Sequence, residues 1–211
     1  MNRVGIDPAG WPFIGGACAL AVVAWAAWSW LLALPFLVLA VLFLFFFRDP
    51  ERPISAGADS VLSPADGRVL VAGAAEAAAA PPGAWQQISI FLSPLDVHIN
   101  RIPASGRVTQ VSYTPGRFLP AYHQQAAAAN ERSEIWIDHA GQPIVARQIV
   151  GLLARRVVCR VATGADVRAG DRYGVMKFGS RMDVFLPVTA ELRVRVGETV
   201  RGGETVIAVL H

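Results

Sequence analysis

Two hydropathy patterns divide the chain. From Phe13 to Phe47 no residue is charged and apolar side chains dominate. After Arg48 the pattern changes to short runs of alternating apolar and polar residues, separated by glycine and proline. A membrane-crossing helix needs about 20 apolar residues. The first segment is therefore long for one crossing and slightly short for two. Pro35 divides it, because proline lacks a backbone donor and clashes with the preceding turn. The pattern predicts a helical hairpin, one helix over 13–32 and a second over 35–47. Trp25, Trp28 and Trp30 fall near its turn, where indole rings suit a membrane interface. A cleaved signal peptide fits poorly, since the run is too long and a second apolar block follows.

In the remainder, period-two alternation and β-branched residues predict strands at 68–72, 87–92, 107–113, 134–138, 144–150, 156–162, 182–186, 191–196 and 205–210. Only 124–132 reads as helical, and equally as a loop. The alanine-rich run 74–80, ending in Pro81-Pro82-Gly83, reads as an exposed loop. PADGRV at 64–69 echoes PASGRV at 103–108, and VGETV at 196–200 is followed by GGETV at 202–206. Each places a turn signal before a strand. The expected fold is mainly β: a compact, barrel-like β-sandwich of short hairpins with few helices, preceded by an N-terminal transmembrane helical hairpin. The expected domains are an anchor, 1–47, and a second domain, 48–211, that begins with the polar linker RDPERPI.

Arg3 and Asp7 cancel, so the whole net charge of +3 falls after Phe47. A basic domain beside an apolar anchor suits an anionic membrane surface; an arginine-rich composition without such a partner accounts for it equally well. Arg48 and Arg52 follow the second apolar block, which places the second domain on the cytoplasmic side of the cell's inner membrane by the positive-inside tendency. Cys18 and Cys159 have neither metal-ligand spacing nor a disulfide framework, and both read as small buried hydrophobes. No metal and no nucleic-acid partner are expected.

The chain has one lysine, Lys177, and four histidines. Decarboxylating an amino acid requires a carbonyl that acts as an electron sink. A pyridoxal phosphate enzyme would hold that group on Lys177, but no phosphate-cradling glycine loop accompanies it. A second route makes the carbonyl from the backbone, by attack of a serine on the preceding peptide carbonyl. Gly179-Ser180 offers the hydroxyl and a glycine that bends without a Cβ penalty. Taken alone, the dipeptide reads as an ordinary turn.

MKFGSRMDVFLP at 176–187 resembles the processing segment of the short, single-domain class of phosphatidylserine decarboxylases. SPADGRV at 63–69 is similar to the segment holding the acidic member of that family's Asp-His-Ser triad, and FLSPLDVHINRIP at 91–103 to its histidine segment. NER at 130–132, RQIVGLLARRVV at 147–158 and RDPER at 48–52 also fit, all in the family's order. The resemblance implies that Ser180 is the nucleophile and the precursor of a covalent pyruvoyl cofactor. Cleavage between Gly179 and Ser180 would give a β chain, 1–179, and an α chain, 180–211, which stay together as a heterodimer. His98 would activate Ser180, and Asp66 would orient His98. Phosphatidylserine would then lose carbon dioxide through a Schiff base with the pyruvoyl group, giving phosphatidylethanolamine.

One departure stands in the histidine segment. Longer members carry a second histidine three residues on, where this chain has Arg101. His98 then serves twice, or Arg101 binds substrate carboxylate or phosphate, for which its forked donors are suited. Arg132 is a further substrate-binding candidate. Phe118 and Leu119 fit either a lipid contact or the core. The C-terminal repeat supports a different reading, a membrane-tethered, non-catalytic β-sandwich of the biotinyl/lipoyl kind. A third reading keeps the chemistry on another amino acid or phosphoserine compound. The sequence leaves a homo-oligomer open.

Overall fold

The computed structural model describes residues 4–54, 57–123, 125–152, 157–177 and 179–211. Two units meet between Glu51 and Arg52.

The first contains β1 (Val4–Ile6), α1 (Trp11–Ala27), α2 (Trp30–Phe46) and β2 (Arg48–Pro50). β1 and β2 pair antiparallel, with Gly5 opposite Asp49, so the start of the expected linker is a strand. Ala17, Ala21 and Ala24 of α1 and Ala33 and Ala40 of α2 are buried. Spacings of three, four and seven keep them on one helix face, and small side chains let two helix backbones approach closely. Large apolar residues such as Leu20, Val23, Leu31 and Val41 point outward instead. That distribution suits a hydrocarbon surround. Cys18 is also exposed rather than buried.

The break between the helices falls at Trp28–Ser29, not at Pro35. Ser29 is extended (φ −165°, ψ 160°), and Pro35 lies inside α2. This division gives two helices of 17 residues each, whose alanine stripes run side by side; a break at Pro35 would strand residues 30–34 outside that contact. Trp25, Trp28 and Trp30 are all exposed at the turn. The segment Pro8–Ala27 is long and apolar enough to cross a membrane, whereas Trp30–Phe46 is shorter.

The second unit carries β3 (Ser60–Leu62), β4 (Gly67–Ala74), β5 (Trp85–Leu92), β6 (Ile99–Arg101), β7 (Gly106–Thr114), α3 (Ala126–Ala129), β8 (Arg132–His139) and β9 (Gln142–Val150). It continues with β10 (Val157–Cys159), β11 (Asp166–Val167), β12 (Arg172–Met176), β13 (Ser180–Pro187), β14 (Glu191–Leu192), β15 (Thr199–Val200) and β16 (Val206–Val209). The mainly β architecture expected from the alternation is the one that forms. An eight-stranded sheet has the order β11-β7-β8-β9-β13-β5-β4-β15, and two three-stranded sheets, β10-β12-β6 and β14-β16-β3, complete the unit. One apolar core joins them, with Ile88 and Ile90 from β5, Val184 and Leu186 from β13, Tyr173 from β12 and Ile207 from β16. The strand expected at 191–196 is limited to β14, and that expected at 156–162 to β10, with Arg156 outside the described residues.

The two PA-x-GRV repeats share a structural reason. A Cβ on Gly67 would lie 2.1 Å from the Phe91 carbonyl oxygen, and one on Gly106 would lie 2.2 Å from that of Asp138. Each glycine opens a strand where the neighbouring backbone approaches too closely for any side chain.

β13 is the central strand. β9 and β5 flank it, pairing Ser180 with Val150 on one side and Leu92 on the other. Its even-numbered residues Met182, Val184 and Leu186 enter the core. The odd-numbered residues face the opposite side, where Arg181 and Asp183 are also buried. There, Arg181 Nε donates to Asp183 Oδ1 at 2.6 Å and Nη2 to Ser89 Oγ at 2.8 Å. Gln87 Nε2 donates to Asp183 Oδ2 at 3.1 Å. Arg147 of β9 adds an ion pair with Glu134 and donates to the Ala79 carbonyl. The alanine-rich segment is thus partly a cover for this face, with Ala79 packed on Ala127 and Ile149. Charges buried in pairs resist any shift of register, because removing one partner leaves the other uncompensated.

Candidate active site

Ser180 opens β13 and is fully buried. Its Oγ has no hydrogen-bond partner among the described residues. A buried hydroxyl ordinarily finds one, which makes Ser180 the candidate reactive group. Gly179 precedes it with φ +72°, a left-handed conformation that suits glycine. Its carbonyl oxygen stands over Gly151, where a Cβ would come within 2.2 Å of it. The close approach is possible only because position 151 carries no side chain.

His98 lies just before β6 and is 1% exposed. Its Nδ1 is 3.0 Å from the Asp96 carbonyl oxygen, and the Gly179 N–H points at its Nε2 at 3.4 Å. A carbonyl accepts only, so Nδ1 carries the proton and Nε2 keeps its lone pair. The imidazole thus presents a basic nitrogen to the Gly179–Ser180 segment. Tyr173 cannot compete as a base: burial pushes its phenol well above the usual range.

Two further side chains supply polar atoms on this side of the sheet. Gln148 faces the same side as Ser180, being paired with Met182 on β13. Its Nε2 donates to Asn100 Oδ1 at 2.8 Å. The other half of each amide, Gln148 Oε1 and Asn100 Nδ2, is buried without a partner among the described residues. Asn100 follows His98 by two positions, so both project from the same side of the β6 segment. Gly174 makes room, since a Cβ there would meet Gln148 Nε2 at 2.6 Å.

Asn130 fixes the adjoining loop. It accepts from the Leu119 N–H at 2.9 Å and donates to the Leu119 and Val150 carbonyls, each at 2.8 Å. This ties the loop to the end of β9, directly beside Ser180. A cavity of about 250 Å³ opens there, lined by Phe91, Pro94, Pro120, Ala121, Tyr122, Leu152 and Gly179. Its lining is almost entirely apolar.

The described bonds of the remaining candidates run to other groups. The described bonds of Asp66 run to Arg52, at 2.5 and 2.7 Å, and to the Gly202 N–H at 2.8 Å. An Asp66–His98 hydrogen bond is not among the described contacts. Arg101 donates to the Gly170 carbonyl at 2.9 Å and packs where a Gly203 side chain would stand. Arg132 is paired with Ile149 and lies on the Arg147–Glu134 face, opposite to Ser180. Burial pushes the Arg147 guanidinium below its usual range, against Glu134 and Asp183, which hold it up. No cluster of metal-ligating side chains occurs among the described residues.

Three of the segments in which the family resemblance was found, 91–103, 147–158 and 176–187, supply the residues around Ser180, and comparison with known proteins decides the family. Residues 39–208 match the profile of the phosphatidylserine decarboxylase family. The chain belongs to that family. A phosphatidylserine decarboxylase proenzyme of Nitrosomonas europaea is 41% identical over 203 residues, covering 96% of this chain and 94% of the relative. Proenzymes of the same name from Ralstonia nicotianae and Burkholderia multivorans are 41% and 42% identical over 206 and 203 residues. The chain is therefore an enzyme of the phosphatidylserine decarboxylase type, which sets aside the non-catalytic biotinyl/lipoyl-like reading. Within this decarboxylase, Asn100, Gln148 and Gly151 were not singled out from sequence. Each is an ordinary residue whose meaning comes from a neighbour distant along the chain.

Proposed function

We propose that this decarboxylase cleaves its own Gly179–Ser180 bond and then converts phosphatidylserine to phosphatidylethanolamine. The observation that carries the proposal is the buried, unpartnered Ser180 hydroxyl beside a left-handed glycine whose amide faces His98. Ser180 Oγ gives its proton to His98 Nε2 and attacks the Gly179 carbonyl carbon. The amide C–N bond breaks, its nitrogen takes up a proton, and an ester joins Gly179 to Ser180 Oγ. Loss of the Ser180 α-proton then expels the Gly179 carboxylate by breaking the Cβ–Oγ bond. The resulting dehydroalanine takes up water and releases ammonia, leaving a pyruvoyl group at position 180. The proenzyme names of the relatives support a processed chain.

The fragments 1–179 and 180–211 would remain paired. β13 belongs to the second fragment yet is hydrogen-bonded on both edges to strands of the first.

In turnover the pyruvoyl carbonyl supplies the electron sink for the substrate amine and the departing carbon dioxide. The surrounding chain does the rest. His98 returns a proton to the product carbon. Asn100 Nδ2 and Gln148 Oε1 offer one donor and one acceptor to the polar head. The cavity beside Gly179 admits the head, with the apolar part of the lipid left at its mouth. Asp66 enters as a positioning residue, acting through Arg52 and Gly202. The apolar helix pair holds the enzyme in the inner membrane, with its basic second unit on the cytoplasmic side. Ser180→Ala tests the reading: the variant stays a single chain without decarboxylase activity. A variant that still splits at this position would overturn it.

A further inference from the structure

Three loops meet around the cavity at Gly179, and they expose an unusual amount of apolar surface. Leu95 is 73% exposed, Tyr122 and Leu152 are each 61% exposed, and Phe118 is 37% exposed. The Tyr122 loop packs on its neighbours: its ring meets that of Phe91, near the end of β5, edge to face at 5.9 Å, and a Cβ on Gly151 would reach Ala121 Cβ at 3.3 Å. Among the described residues, the other exposed large apolar side chains of this unit, Ile54, Tyr113, Val188 and Val196, lie outside these loops. Exposed apolar side chains that cluster, rather than scatter, mark an interaction surface.

The chemistry of the site identifies the partner. A lipid whose head reaches Ser180 must leave its glycerol and acyl chains in the cavity mouth, and that mouth is apolar. Arg117 and His123 are exposed on the same loop as Phe118 and Tyr122, in a domain that holds all the excess positive charge of the chain. Apolar tips beside the Arg117 guanidinium fit an anionic bilayer surface. We propose that the loops carrying Leu95, Phe118, Tyr122 and Leu152 insert into the bilayer. The phospholipid then enters the cavity head-first while its chains stay in the membrane. The inference rests on the reading of Ser180 as the reactive position.

The test uses the full chain in vesicles of phosphatidylcholine and phosphatidylglycerol. Cys18 and Cys159 are changed to serine, and an environment-sensitive dye is placed at Leu95→Cys or, as a control, at Val196→Cys. The dye at position 95 shifts to the blue with vesicles and the dye at 196 does not. Equal, water-like emission at both positions overturns the proposal. A second arm compares substrates with the double variant Leu95→Glu, Phe118→Glu. Self-cleavage stays complete and turnover of a water-soluble short-chain phosphatidylserine is unchanged, while turnover of vesicle phosphatidylserine falls about tenfold or more. Unchanged vesicle turnover, or an equal fall on both substrates, also overturns it. A wild-type chain that never cleaves sinks the Ser180 reading instead, and the dye result stands independently of that outcome.

Discussion

The N–H of Gly179 reaches Nε2 of His98 at 3.4 Å, while Nδ1 of the same ring faces the Asp96 carbonyl at 3.0 Å. An acceptor nitrogen thus lies beside the Gly179–Ser180 segment, where we propose that the chain is cleaved. General-base assistance is typically worth about 10²–10⁴ in rate. His98→Ala should slow the appearance of the two fragments by that order. Denaturing gels of the purified precursor over time provide the check, and cleavage at the wild-type rate would remove His98 from the processing step.

Gly151 makes a second prediction. Alanine there would bring its methyl group within 2.2 Å of the Gly179 carbonyl oxygen, so the scissile carbonyl must move. A displacement of an ångström can cost about a hundredfold in rate. Gly151→Ala should therefore accumulate uncleaved precursor, measured as the ratio of full-length chain to fragments. Full cleavage at the normal rate would show that the carbonyl position does not matter.

Asp66 predicts an effect on stability. Its carboxylate holds Arg52 through two nitrogens, and the side chains of Arg52 and Asp66 are only 7% and 16% exposed. Asp66→Asn removes the nearer of two carboxylates from Arg52, leaving Glu204 at 3.9 Å and the Gly202 carbonyl, at a cost of about 1–3 kcal/mol. The melting temperature should fall, and cleavage should slow without stopping. Complete loss of cleavage at an unchanged melting temperature would instead tie Asp66 directly to the chemistry.

The helix pair predicts the membrane behaviour. Large apolar side chains such as Leu20, Val23, Leu31 and Val41 face outward, while Ala17, Ala21, Ala24, Ala33 and Ala40 are buried. Removing residues 1–51 should shift the protein from the membrane pellet to the high-salt wash. A truncated chain that still pellets fully at high salt would contradict the anchor.

Much of this architecture was legible in the sequence because strands that are apolar on one face alternate visibly, as β5 and β8 do. Other parts were hidden. The buried polar face of β13 has no signature in its own segment: Arg181 and Asp183 are accommodated there by hydrogen bonds from or to Ser89 and Gln87 of β5. The 74–80 run read as a loop in solvent, yet the Ala79 carbonyl serves as acceptor to buried Arg147. Pro35 pointed to a break that the alanine stripes place at Ser29. The site divided similarly. Ser180 and His98 stood in recognisable segments, whereas the Asn100–Gln148 pair spans 48 positions and has no local signature. The expected partnership of Asp66 with His98 came from the resemblance, while the described bonds of Asp66 go to Arg52 and Gly202.

Intact mass spectrometry of the purified full chain tests the central claim most directly. Self-processing at Ser180 predicts two species, 1–179 and 180–211, with the smaller one lighter by one ammonia than a fragment ending in free serine and blocked to Edman sequencing. A single unprocessed chain, or a 180–211 fragment with a free amino terminus, would contradict it.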